Sequence, residues 1–192
     1  MSTARLDLLL HPVRLRLVHA LHLARMLTTS GLCAALPDVP KATVYRQVKR
    51  LVRGGVFEVE SARQVRGAVE RRYRLAAGGA VVDAKAARSM TLEDHRRGFT
   101  AAMAALIGDF SAYLDLRGAN PMADEVSYRQ FTMWLRPAER SQLVLDLQRT
   151  LQALMSNKPA AGRVPYMVST IFFPTSARPP KGRNGKGRKD SD

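Results

Sequence analysis

Apolar residues between Leu6 and Leu27 recur at spacings of three and four: Leu6, Leu9, Leu10, Val13, Leu17, Val18, Leu21 and Ala24. That is the period of a helix with one buried face, and His11-Pro12 is its expected start, because proline suits a first helical position. Thr29 and Ser30 are N-cap candidates for a short second helix that turns Leu32, Cys33 and Leu36 inward and stops at Pro37-Asp38. A third helix follows almost at once, with Pro40 in its first turn, Val44, Val48, Leu51 and Val52 as its apolar stripe, and Gly54-Gly55 at its end. Two helices on so tight a turn are expected to form a helix-turn-helix. Val56–Glu60 and Val69–Leu75 then alternate apolar and polar positions, as the two strands of a hairpin do. The polar, basic stretch from Ser61 to Ala68 between them reads as a connecting loop, the wing.

Past the wing the pattern changes. Thr91 with Asp94 resembles a capping box and opens a helix to near Gly118, in which Leu92, Phe99, Met103, Leu106, Phe110 and Tyr113 keep a seven-residue repeat. Ser127–Arg136 alternates as a strand, Pro137 starts a helix striped by Leu143, Leu147, Leu151 and Leu154 through Met155, and Tyr166–Phe173 reads as a second strand. A strand-helix-strand unit of this length is expected to set its strands parallel through a right-handed crossover. From Ser176 the chain holds almost nothing apolar and cannot bury enough surface to order itself. The expected fold class is α+β. Residues 1–76 form a winged helix-turn-helix domain, 77–90 a small-residue-rich connector, 91–175 an αβαβ domain for dimerisation or effector binding, and 176–192 a disordered basic tail.

Charge sharpens this outline. The 192 residues carry 31 Lys and Arg against 16 Asp and Glu, a formal net charge of +15, which points to a polyanionic partner. No apolar run approaches the roughly 18 residues of a membrane span, the N-terminus lacks a signal peptide's order, and the lone Cys33 makes no intramolecular disulfide. A cytoplasmic protein with no membrane partner is expected. Ten of the basic residues, against three Glu, fall between Lys41 and Arg74, on the motif itself.

On a helical wheel of about 100° per residue, Ala42, Arg46, Lys49 and Arg53 stand opposite the core stripe, with Thr43, Tyr45 and Arg50 on the flanks. The candidate contacts to double-stranded DNA are therefore Lys41, Ala42, Thr43, Tyr45, Arg46, Lys49, Arg50 and Arg53 on the helix, and Arg63, Arg66 and Gly67 on the wing. Arg46 is the first choice for a base edge, because a guanidinium spans guanine O6 and N7 or clamps a phosphate. Lys49, Arg50 and Arg53 are expected at phosphates. The wing arginines can enter or flank the minor groove. Arg71, Arg72 and Arg74 alternate faces, so some of them must serve the fold.

Four stretches resemble the ArsR-like winged-helix regulators: His11-Pro12-Val13-Arg14-Leu15, Ala42-Thr43-Val44-Tyr45-Arg46, Leu51 through Gly55-Val56, and Val65 to Arg71 before Tyr73-Arg74-Leu75. The resemblance covers the first 75 residues and is strongest to actinobacterial-style members that lack metal sites and carry an αβαβ extension after the wing. It implies a homodimer on a pseudopalindromic operator, usually acting as a repressor in transcription regulation, with the 40–53 helix and the 61–69 wing reading DNA.

The metal-sensing branch pairs cysteines, or His with acidic ligands, which this sequence does not supply. His19 and His22 lie three apart on the first helix, but nothing completes a four-ligand site, so no metal and no cofactor are expected. Cys33, on the inward stripe, reads as a packing residue ahead of a redox thiol. Phe99, Met103, Phe110 and Trp134 are candidates for a small-molecule effector pocket, weighed against core or dimer-seam packing. The seam is left between helix one and the 92–113 helix. Paired carboxylates, a phosphate loop, a Ser/His/Asp order and a Walker-type lysine are all missing, so the chain does not read as an enzyme. The alternative to a sequence-specific regulator is a low-specificity, nucleoid-type nucleic-acid-binding protein that uses the same charge.

Overall fold

The computed structural model describes residues 7–65, 68–78 and 87–175. The chain divides into two compact units, residues 1–126 and 127–192. In the first, the elements are α1 (Pro12–Ala24), β1 (Leu27–Thr28), α2 (Thr29–Ala35), α3 (Lys41–Arg53), β2 (Phe57–Val65), β3 (Ala68–Leu75) and α4 (Leu92–Leu114). Helix α1 starts at Pro12, as the sequence suggests, and stops at Ala24, where Arg25 takes a φ of 63° and the chain turns into β1. With two residues, β1 is too short for any periodicity to announce. It pairs antiparallel with Tyr73 and Arg72, giving the sheet order β1-β3-β2.

The N-cap of α2 is Thr28, one residue before the expected Thr29 or Ser30, and its hydroxyl accepts from the Gly31 N–H at 3.0 Å. Three consecutive hydroxyl residues carry nearly the same capping signal, so local sequence alone does not choose among them. Helix α3 ends in a Schellman turn: Gly55 N–H donates to Val52 O at 3.0 Å and Val56 N–H to Leu51 O at 2.9 Å. Gly55 sits at a φ of +66°, where a side chain is strained, and the accompanying apolar pair, Leu51 and Val56, is fully buried. The core gathers Leu17 and Leu21 of α1, Leu32 and Cys33 of α2, Val44 and Val48 of α3, Phe57 and Tyr73.

The hairpin is longer than its sequence pattern. Register runs from Phe57 opposite Leu75 to Val65 opposite Ala68, so most of the stretch read as a loop is paired strand. Its outer half projects beyond the core, leaving Val69 exposed, and Val59 nearer the base is exposed as well. Cross-strand hydrogen bonds hold it there, and apolar alternation has no buried face to report. Glu60 is the extra residue of a bulge between Val59 and Ser61.

Helix α4 opens with the capping box: Thr91 Oγ1 accepts from Asp94 N–H at 3.1 Å, and the Asp94 carboxylate accepts from Thr91 N–H at 3.0 Å. Its packing face is not the heptad stripe. Ala101 and Ala105 are the buried residues, and Gly98 and Gly108 continue the same row. A Cβ at Gly108 would come within 2.9 Å of Arg16 Nη1, and one at Gly98 within 3.2 Å of Leu10 Cδ2. Small side chains let α4 close onto α1 and its lead-in, while Phe99, Ile107 and Phe110 turn outward. The helix expected to open a second domain thus belongs to the first unit, and it ends at Leu114, short of Gly118.

Through this seam runs Arg16, 5% exposed. Its Nη1 and Nη2 donate to the two oxygens of Asp38 at 2.6 and 2.8 Å, and its Nε donates to Asp109 Oδ1 at 2.7 Å. The other Asp109 oxygen lies 3.0 Å from His19 Nδ1. The bond from Arg16 holds the Asp38 carboxyl below the usual carboxylate range. Burial works against ionising Asp109, yet the bonds from His19 and Arg16 outweigh it and its pKa is lowered as well.

The second unit contains α5 (Pro137–Met155), with proline in its first turn and the Glu139 carboxylate accepting from Arg136 N–H at 2.7 Å. The αβαβ expectation is corrected here. Among the described residues, neither 127–136 nor 166–173 enters a β-ladder, and the parallel crossover unit is not formed. Alternation reports which way side chains face. A strand also needs a second backbone to satisfy its N–H and C=O groups, and none of the described residues forms a ladder with either segment.

Arg16→Met strands the carboxylates of Asp38, in the α2–α3 turn, and of Asp109, in the α1–α4 seam. Removing one partner of a fully buried pair costs about 3–5 kcal/mol. Because Asp38 and Asp109 keep some water, a loss of about 2–3 kcal/mol is expected in urea unfolding followed by helical circular dichroism. Both carboxyls titrate below their ordinary 3.8 in the folded chain. Their stabilisation is therefore present above pH 3.8 and disappears as the pH falls through the lowered values, a loss that should be shallower in the variant.

Candidate nucleic-acid interface

Helix α3 buries Val44, Gln47, Val48 and Leu51 and exposes Lys41, Ala42, Tyr45, Arg46, Lys49, Arg50 and Arg53. Seven of the eight helical candidates thus share one open face, with Thr43 half-buried at its margin. Gln47 was not anticipated inside. It is 3% exposed, and its Oε1 is buried with no hydrogen-bond partner among the described residues. Its polarity suggests solvent, but its place three residues after Val44 and four before Leu51 turns it to the core.

Two further basic groups join this face from α1 and its N-cap, Arg14 and His11. His11 is held below its ordinary 6.5 by burial and by the charges of Arg14, Arg50 and Arg46. Burial and Arg50 likewise lower Arg14, partly offset by Asp7. His11 Nδ1 and Arg14 Nε are buried without partners among the described residues, while Arg14 Nη2 reaches the Asp7 carbonyl at 3.4 Å. The start of α1 and the open face of α3 therefore share one positive field that an anion would relieve. The clue in the sequence is the three-residue spacing of His11 and Arg14, which places both on one helical face.

On the wing, Arg63 is exposed on β2 opposite Glu70. Arg66 and Gly67 lie outside the described residues. Arg74 pairs with Glu58 at 2.8 Å and with Glu60, so it braces the bulged base of the hairpin. Arg71 and Arg72 are exposed.

Of the effector candidates, Phe99, Met103 and Phe110 lie on α4, Phe110 stacked on Tyr113 with ring centroids 5.9 Å apart. Trp134 belongs to the other unit. One cleft in the first unit is lined by Leu10, Pro12, Glu93, Arg96, Arg97 and Thr100, and one in the second by Arg140, Val144, Leu145, Phe172 and Phe173. None of the four candidates lines either. Among the described residues no group of three or more His, Cys, Asp or Glu is placed to hold a metal ion, and His19 is engaged with Asp109. Cys33 is buried. No described helix is long and apolar enough to cross a membrane.

Residues 9–60 match the family model of a helix-turn-helix domain. The match spans α1 through the start of β2, a little over a quarter of the chain. No curated protein matches the chain. A helix-turn-helix domain is a DNA-binding module, and the reading of the chain as a DNA-binding protein of the transcription-regulator class rests on it.

Gln47→Met keeps the length of the side chain and removes the unpaired oxygen. A gain of about 1 kcal/mol is expected in thermal unfolding. Because His11 titrates below 6.5 when folded, the unfolded chain takes up its proton first. Stability is then full above pH 6.5 and declines through the window below it, and His11→Gln should flatten that slope in urea titrations between about pH 5 and pH 7.5.

Proposed function

We propose that the protein is a homodimeric transcriptional repressor that reads a pseudopalindromic operator, with α3 in the major groove and the β2–β3 wing against the adjacent minor groove or backbone. The observation that carries this reading is the division of α3. Arg46, Lys49, Arg50 and Arg53 stand exposed on the side opposite Val44, Val48 and Leu51 in the core. A solvated helix has no need of so one-signed a face, whereas a phosphate backbone rewards it. The likeness to ArsR-like regulators at residues 11–15, 42–46 and 65–71 supports the same assignment.

In this reading Arg46 addresses a guanine edge. Lys49, Arg50 and Arg53 hold phosphates, with Arg14 beside them, and Arg63 and Arg66 extend the contact along the wing. The repressor action follows from dimeric occupation of an operator, and residues beyond 90 are where a signal would enter.

Selection of genomic fragments bound by the full chain, followed by footprinting, tests this. Enrichment of an inverted repeat with half-sites about one helical turn apart is expected. Affinity should fall with salt at a log-log slope of about 0.9 per phosphate contact. Arg46→Ala should cost about 1–3 kcal/mol at one base pair of each half-site. Lys49→Ala should weaken binding evenly across sequences and lower the salt slope by about one. Equal affinity for random duplexes, with a footprint unchanged by Arg46→Ala, would replace this reading with the low-specificity, nucleoid-type one.

A further inference from the structure

From Ser127 to Thr175 no residue is buried, and only Leu143, Val144 and Leu151 are half-buried. This stretch is nevertheless rich in large apolar groups. Tyr128, Phe131, Trp134, Tyr166 and Phe172 are between 49% and 85% exposed, and Met133, Leu147, Leu154, Met155, Met167 and Val168 are exposed beside them. At the 150–250 Å² that an aromatic side chain offers, those five alone hold roughly 700 Å² of apolar surface in water. That is close to the roughly 800 Å² each partner contributes to a stable interface, before any aliphatic group is added. A soluble monomer rarely leaves so large an apolar patch uncovered.

The backbone is equally incomplete. Segments 127–135 and 164–172 are of equal length, flank one helix, and make no ladder hydrogen bond among the described residues. Two such chains related by a two-fold axis supply each other's missing partner. Segment 127–135 of one copy can lie along 164–172 of the other, twice over, so that neither copy is left with an unmatched segment. Charge permits the encounter despite the +15 of the whole chain, because the two segments together hold a single charged residue, Arg129.

We propose that residues 127–175 associate with the same residues of a second copy, the 127–135 segment of each chain pairing with the 164–172 segment of its partner and α5 covering the apolar face so formed. This rests on the homodimer of the proposed regulator and gives it a seam outside the DNA-binding unit.

Trp134, the chain's single tryptophan, reports on the seam. Sedimentation equilibrium of the full chain without DNA should give twice the chain mass, with blue-shifted Trp134 emission that moves red on dilution at the same midpoint. Hydrogen exchange should show amides of 127–135 and 164–172 protected in the dimer. Phe131→Asp and Phe172→Asp should each weaken association by about 30-fold or more, as an interface anchor does. An unchanged helical melting transition would show that each variant still folds.

A monomer at about 50 μM, well above the dissociation constants of stable dimers, would overturn the proposal. So would a dimer with solvent-exposed Trp134, protection of these amides in a monomer, or a dimer indifferent to both Asp variants but dissolved by Phe99→Asp on α4. A dimer of the expected kind that binds no operator would leave this seam standing and end the repressor reading. Binding of an inverted-repeat operator by a dimer that is indifferent to both Asp variants would do the reverse.

Discussion

The guanidinium of Arg16 has to be buried charged, because an arginine does not give up its proton in a protein. A charge at 5% exposure is tolerable only with carboxylates brought to it in the right geometry. Asp38 takes one edge of the fork and Asp109 the Nε side. Asp38 lies in the turn between α2 and α3, so its position fixes how the third helix leaves that turn. Asp109 lies on α4, so its position fixes the register of that helix on α1. A lysine, with a single point charge, could not hold both arms in plane.

The exposed face of α3 inherits its orientation from this arrangement. Leu51 and Val56 lock its far end to the sheet, and Asp38 anchors the chain just ahead of its first turn. Helix α4 reaches the same guanidinium from the opposite side. Its contact with the helix-turn-helix is therefore made through a polar node set in a row of glycine and alanine, where even a methyl group at position 108 would collide, and through Arg97, which pairs with Asp7 at 3.1 Å.

Much of the first unit was legible because the features that build it are local. Helical period, Pro12, the Gly54-Gly55 stop and the Thr91–Asp94 box all act within a few residues. The open cations of α3 were legible for the same reason, since a wheel needs only the helix. Gln47, His11 and Arg14 were not, because their burial and mutual charge arise from elements that meet only in three dimensions. Strand β1, the outer half of the hairpin and the small-residue face of α4 escaped similarly. A two-residue strand has no period, a projecting hairpin has no buried side, and a row of Gly and Ala carries little hydrophobic signal beside a stripe of Phe and Met. In 127–136 and 166–173 the alternation reported side-chain faces but could not report whether a partner backbone was present.

The α3 helix is electrically finished at one end and unfinished at the other. Arg50 and Arg53 stand in its last turn, against the negative pole of the peptide dipoles, and its final carbonyls are occupied by Gly54, Gly55 and Val56. Its first turn has no acidic residue, and Pro40 at the N-cap offers no side-chain acceptor. The positive pole, beside Lys41, thus has no acidic residue in its first turn and no side-chain cap among the described residues. An incoming phosphate would supply the anion that an ordinary helix takes from an aspartate or a serine in its own sequence.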